Sequence, residues 1–215
     1  MAPERSYLTL KDHYEGKLRQ HGDNHLGVDW PNKADAEKRY DVMLDVIGDK
    51  TARGSVLDIG CGLAHLYERM LERRLNDRLS YEGLDISPEF IGACRSKHPA
   101  IKFHESDILQ PHPALRPERQ YDYVILNGVF TEKLAMSHDE MSGFFQSMLT
   151  TAFAYAGKGL AFNVMSKHVD WERDDLFHLP FDEMAGFVSR HLTRDFVVRN
   201  DYGLFEYTVY LYRRA

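Results

Sequence analysis

The segment Val56-Leu-Asp58-Ile-Gly60-Cys61-Gly62-Leu-Ala64 constrains this 215-residue chain more than any other stretch. A short apolar run delivers one carboxylate and then two glycines, the pattern of a buried strand that ends in a tight turn. Glycines let a ligand come up to the backbone without meeting a Cβ atom. Open parallel sheets bind their ligands at this end of the strands. The run Tyr81-Glu-Gly-Leu-Asp85 ends in a second acidic residue 23 positions past Gly62. At the tip of a second strand, that carboxylate can accept hydrogen bonds from both hydroxyls of a ribose.

The rest of the chain keeps the same rhythm. Strand-like apolar runs at 55–60, 79–85, 101–104, 121–126 and 159–164 alternate with helical patterns. Leu63, Leu66 and Met70 follow the glycine turn on one helical face. Ser87-Pro88 is a good helix opening, with a hydroxyl at the cap and proline in the first turn. Ser137-His-Asp-Glu140 reads as a capping box that opens a long helix with Phe144, Phe145, Met148 and Leu149 inward. Strand and helix in alternation predict a doubly wound α/β fold with a parallel sheet covered on both faces. The end of the chain departs from this: a helix near 180–191 precedes extended segments at 194–199 and 204–212, joined by Asn200-Asp-Tyr-Gly203 as an antiparallel hairpin. In the second of these, Phe205, Tyr207, Val209 and Leu211 alternate with more polar residues. Residues 1–50 form an N-terminal helical cap of the same domain, with Tyr40, Met43, Leu44 and Ile47 at helical spacing and a turn-rich loop from His21 to Pro31. Residues 51–215 form the ligand-binding domain.

Composition narrows the function. Acidic residues outnumber Lys and Arg 33 to 27, a net charge of −6, so the cationic surplus of phosphate-backbone binders is missing and no nucleic-acid partner is expected. No apolar stretch approaches the length of a membrane span, and mean hydropathy is −0.47. No secretory signal is visible in the first residues, which points to a cytoplasmic protein with no membrane partner. Two cysteines, Cys61 and Cys94, supply neither a disulfide framework nor a four-cysteine zinc site. Cys61 reads as a small buried filler, since a nucleophilic thiol needs a basic partner. His21 and His25 lie four apart without a third ligand, so no metal is expected.

Two nucleoside cofactors compete for the turn. A dinucleotide fingerprint requires a small residue at the sixth position from Gly60, where this chain has His65. The charge of Asp58 would also repel a diphosphate, whereas it suits a cationic ammonium. On these residues the sequence resembles the class I S-adenosylmethionine-dependent methyltransferases, whose first motif reads acidic, apolar, Gly, x, Gly, x, Gly. Asp58, Gly60 and Gly62 match, and Ala64 stands at the third glycine. The resemblance implies a Rossmann-like seven-stranded, mostly parallel sheet with an antiparallel last strand. It also implies S-adenosylmethionine as cofactor, held by Asp58, Gly60, Cys61 and Gly62 on the turn. Asp85 and Ile86 would serve the ribose, Asp107 and Ile108 the adenine, and Asn127 and Gly128 would lie beside the methyl donor.

The pieces His21-Gly, Gly27-Val-Asp-Trp30, Lys38-Arg39-Tyr40, Asn127-Gly-Val-Phe130, Ala161-Phe-Asn163 and Asp201-Tyr202 look like a bacterial small-molecule subgroup of these enzymes. Its members are associated with polysaccharide or specialised-metabolite pathways. The fourth strand lacks the Asn or Asp-Pro-Pro-aromatic run that holds planar amines of nucleic-acid bases or glutamine side chains in similar enzymes. A small-molecule methyl acceptor is therefore expected, methylated at O or N. The expected pocket is walled by the N-terminal loop with Trp30, by Phe130 to Lys133, by the segment after Asn163, and by Tyr202. His21, Lys133, His168 and Tyr202 are the candidate catalytic groups. Two other readings remain: a noncatalytic cofactor-binding module, and a nicotinamide-dependent oxidoreductase, which His65 and Asp58 oppose.

Overall fold

The computed structural model describes residues 6–49, 51–110 and 121–213. Its centre is a seven-stranded sheet made of β1 (Gly54–Ile59), β2 (Leu79–Asp85), β3 (Lys102–Glu105), β4 (Tyr121–Phe130), β5 (Ala156–Met165), β6 (Phe196–Arg199) and β7 (Glu206–Tyr212), in the order β3-β2-β1-β4-β5-β7-β6. The pairings among β1 to β5 are parallel, while β7 runs antiparallel to both β5 and β6. This is the sheet expected from the sequence. The strand order reverses between β1 and β4, so a crevice opens where β1 ends, at the glycine turn.

Helices α1 (Leu8–His21), α2 (Lys33–Leu44), α3 (His65–Glu72), α4 (Pro88–Lys97), α5 (His138–Tyr155) and α6 (Phe181–His191) cover both faces. Alternate residues of β1 feed two separate cores. Leu57 and Ile59 join the aromatic cluster of Phe130, Phe145 and Phe162 under α5 and α6. Val56 packs with Met43, Met70 and Ile91 under α2, α3 and α4. Burial on both faces is why these strands read as unbroken apolar runs. Phe145 meets Phe130 and Phe162 with ring centroids 5.0 and 5.5 Å apart and steeply inclined planes, the edge-to-face geometry that aromatic pairs favour. The caps form as read: Ser87 Oγ accepts from the Phe90 amide, and Ser137 and Glu140 close a reciprocal capping box.

Two differences from the sequence reading have physical causes. β4 continues past Leu126 to Phe130, because the Gly128 amide is held by the Asn163 side chain of neighbouring β5. The alternation in 204–212 suggests a strand with one wet face, yet Glu206, Thr208 and Tyr210 are as buried as the apolar residues between them, and Phe205, ahead of the strand, is exposed. Helix α2 lies over that side. The Tyr210 hydroxyl donates to the Val42 carbonyl, and the Arg39 guanidinium, with Nε 2.8 Å from Glu206 Oε2, neutralises the glutamate.

That buried pair yields a stability prediction. Removing one partner of a buried ion pair strands the other charge at a cost of about 3–5 kcal/mol, whereas removing both can be nearly neutral. Arg39→Met should lower the unfolding free energy by about 3 kcal/mol in urea titrations, and Arg39→Met with Glu206→Gln should recover most of that loss. A double variant no more stable than the single one would show that the pair does not carry this charge balance.

Candidate functional site

The crevice at the ends of β1, β2 and β4 holds a cavity of about 160 Å³, roofed by α1 and by Val28 and Trp30 of the following segment. Its floor is the glycine turn. Gly60 and Gly62 have φ of +72° and +51°, a region that favours glycine, and a Cβ at Gly60 would lie 2.7 Å from Val129 Cγ2. Gly60 N and Cys61 N both donate to the Leu84 carbonyl, and Gly62 N donates to Asp85 Oδ2 at 2.9 Å. Ala64 adopts the left-handed φ of 60° that the third glycine of the signature would provide. Its methyl is fully buried, and that burial offsets the backbone cost.

Three carboxylates face the cavity, each with different hydrogen-bond partners. Asp58 is 2% exposed, receives the Tyr81 hydroxyl at 2.7 Å and has no cationic partner among the described residues. Burial pushes its pKa up to about 7, with the Asp85 charge adding to the effect and the Tyr81 hydrogen bond opposing it. Asp85 is also raised by burial, although the amides of Ser87, Gly62 and Ile86 hold it back. Asp107 receives the Tyr7 hydroxyl at 2.8 Å and the Leu109 amide at 2.9 Å. Glu132, just past the end of β4, is raised to about 7 by burial and by the nearby Asp29 and Asp175 charges.

The ten residues singled out for a cofactor, Asp58, Gly60, Cys61, Gly62, Asp85, Ile86, Asp107, Ile108, Asn127 and Gly128, all line this one cavity. The Cys61 thiol is held far above its ordinary pKa by contact with Cys94 and by burial, the state of an inert filler. Trp30 lines the cavity, in the wall expected of the N-terminal loop.

The four candidate catalytic groups are not gathered there, and this part of the expected wall needs correction. Lys133 Nζ donates to the carbonyls of Met136 and Asp174, because backbone bonds from Lys133 and Leu134 to Asp175 turn their loop away from the crevice. Tyr202 shares a hydrogen bond with Thr208 at 3.0 Å, on the far side of Glu206. His168 packs on Phe181, and His21 ends α1. None of the four lines the cavity, and Phe130 belongs to the aromatic core instead. The sequence reading missed the face of α1. Tyr7, Leu10, Lys11 and Tyr14 recur at intervals of three, one and three, the spacing of one helical face, and all four line the cavity. Among the described residues no group of three or more His, Cys, Asp or Glu side chains is placed to hold a metal ion. No helix among them is long and apolar enough to cross a membrane.

Comparison with known proteins agrees with this geometry. A methyltransferase-domain family model matches residues 57–149, from β1 into α5. Rv1506c of Mycobacterium tuberculosis, itself provisionally assigned as a methyltransferase, is 28% identical over 163 residues, covering 75% of this chain and 93% of that protein. Two solved structures share the fold at low identity. One is the magnesium protoporphyrin IX methyltransferase of Synechocystis PCC 6803 with bound S-adenosylmethionine (TM-score 0.68, 15% identity, 100% of both chains). The other is the Burkholderia thailandensis 1,6-didemethyltoxoflavin N1-methyltransferase with bound 1,6-didemethyltoxoflavin and S-adenosylhomocysteine (TM-score 0.63, 16% identity, 98% of this chain and 89% of that one). Sheet order, the glycine turn and the methyltransferase-domain match over residues 57–149 make the chain similar to the class I S-adenosylmethionine-dependent methyltransferases.

The buried Asp58 predicts opposite effects on stability and binding. Its folded pKa of about 7 lies above the unfolded value of about 3.9, so folding disfavours the ionised form. Stability is full below the unfolded value and is lost as pH rises through about 7. Asp58→Asn should leave stability unchanged near pH 4 and raise it at pH 8, by up to about 4 kcal/mol in denaturant titrations, while weakening S-adenosylmethionine in calorimetry. A variant less stable than the parent at pH 8 would contradict the assignment.

Proposed function

We propose that this enzyme transfers a methyl group to an oxygen or nitrogen of a small organic metabolite. The observation that carries the reading is Asp58, a buried carboxylate at the floor of the crevice with no cation beside it. A ligand ammonium would supply the missing charge. The amino-acid end of S-adenosylmethionine has such a group, and bound there the cofactor brings a methyl already activated on a cationic sulfur.

The chain's own residues do the rest. Gly60 and Gly62 leave room for close approach to the backbone. Asp85 spends one lone-pair direction of each oxygen on Gly62 and Ser87, leaving others for ribose hydroxyls. Asp107, steadied by Tyr7, offers an oxygen to the adenine amino group. Helix α1 roofs the cavity and limits water, which serves an in-line displacement whose main demand is alignment at near-attack distance. The negative net charge and the small volume of the cavity support a metabolite over a nucleic acid. Two proteins of the same fold are named for small acceptors, a protoporphyrin and a toxoflavin precursor.

Calorimetry tests the cofactor half. Gly60→Arg should abolish S-adenosylmethionine binding, and Asp85→Ala should weaken it about tenfold or more. Unchanged affinity in both would refute the placement of the cofactor. A panel of hydroxylated and amino acceptors, followed by release of S-adenosylhomocysteine, tests the transfer. Tight cofactor binding without turnover on the whole panel would favour the noncatalytic reading.

A further inference from the structure

The β4 side of the cavity, beside the glycine turn, carries an unmet hydrogen bond. Asn127 lines the cavity, and its Oδ1 is buried without a donor. A buried acceptor in that state is costly, and a molecule seated in the cavity can relieve it.

The backbone around Asn127 is fixed by a closed ring of contacts. The Gly128 amide donates to Asn163 Oδ1 at 2.7 Å, and Asn163 Nδ2 donates to Glu206 Oε1 at 3.0 Å. Arg39 Nε donates to Glu206 Oε2 at 2.8 Å, and the Arg39 guanidinium lies 4.1 Å over the Trp30 ring. Trp30 returns to Gly128, where an added Cβ would come within 2.7 Å of the indole. The ring therefore holds both the aromatic cover and the peptide that carries Asn127.

Shape and charge narrow the occupant. Tyr14, Trp30, Val129 and Phe144 give this side flat and apolar walls. Asp58, Asp85 and Asp107 make the lining anionic. Among the described lining residues, the side chains able to carry positive charge are Lys11 and His65, and both are engaged. Lys11 lies 2.9 Å from Asp12 and 3.4 Å from Glu15, and His65 lies 2.8 Å from Asp23. With the nucleoside seated on those carboxylates, an anionic acceptor would find no free cationic side chain on the remaining wall.

We propose that the wall formed by Tyr14, Trp30 and Asn127 is the methyl-acceptor subsite, and that it takes a flat, uncharged molecule presenting an N–H or O–H to Asn127 Oδ1. Carboxylates and phosphate esters are thereby rejected. The inference rests on the methyltransferase reading and adds the chemical class of the acceptor.

The test uses the intact chain saturated with S-adenosylhomocysteine, whose binding is measured first by calorimetry. No binding at that stage would fell the methyltransferase reading and this inference with it. With the nucleoside bound, para-ethylphenol, para-ethylanisole and para-ethylbenzoate are titrated by ligand-observed NMR. These probes share a ring and differ in donor and charge. The phenol should bind about tenfold more tightly than the other two, and Asn127→Ala, measured at S-adenosylhomocysteine concentrations that saturate the variant, should bring it down to the anisole's level. Equal or better binding of the anisole or benzoate, binding of no probe, or an unchanged phenol affinity in the variant would overturn the proposal. The comparison of probes on the parent protein decides the matter even if the variant does not fold.

Discussion

The architecture of the crevice depends on what Asp85 does at the tip of β2. One carboxylate oxygen takes the Gly62 amide and fixes the glycine turn, and the other takes the Ser87 amide just ahead of α4. Ser87 in turn caps α4 and donates its hydroxyl to Glu15 at 2.7 Å, a buried glutamate on α1. Floor, side and roof of the cavity thus converge on Asp85 and Ser87, two residues apart where β2 gives way to α4. Because each backbone amide satisfied here is a group the turn and helix would otherwise leave orphaned, the site organises itself by the same bonds that terminate its elements. The carboxylate that the proposed function assigns to a ribose is in this way also structural, and it is part-way prepared for ligand before any arrives.

The charge pattern around that scaffold is lopsided. Asp58, Asp85 and Glu15 are all buried near one another, and burial, with the Asp85 charge adding to it, raises Asp58 to about 7. By contrast the equally buried Glu206 has Arg39, and the half-buried Asp41 has Arg69 and Arg73. Leaving Asp58 without such a partner costs stability, and the cost is spent where a cationic ligand would recover it. Strain of the same kind marks the turn itself, where Gly60, Gly62 and Ala64 all hold positive φ within five residues.

What the sequence made legible follows from which forces are local. Asp58, Gly60, Gly62 and Asp85 sit at ends of strands whose apolar runs are unmistakable, so their convergence follows from sheet topology alone. Caps at Ser87 and Ser137 are local hydrogen bonds and were readable for the same reason. Lys133, His168 and Tyr202 were harder, since each follows a strand but its loop is steered by distant bonds, such as Lys133 and Leu134 to Asp175. Strand position predicts where a backbone emerges and says little about where a loop side chain turns. Helix α1 shows the converse. Its pattern of Tyr7, Leu10, Lys11 and Tyr14 was present in the sequence, but a helical face does not reveal whether it covers a core or a cavity. Its mixture of aromatic, apolar and cationic residues suits the half-polar roof it forms.

The polar ring through Arg39, Glu206, Asn163, Gly128 and Trp30 explains why the last strand matters to a site at the first. Glu206 opens β7, the antiparallel strand, and its burial would be untenable without Arg39 from α2. Arg39 cannot shift without losing Trp30, and Trp30 cannot shift without freeing Gly128. A polar network in which every member has a partner is rigid, because each alternative position strands a charge or an amide. Asn127, next along the chain and left without a donor, is the place where that rigidity meets the cavity. Fixed geometry on one side of an unmet acceptor is what recognition of a hydrogen-bond donor requires, since the energy of the new bond is not lost to rearranging the wall.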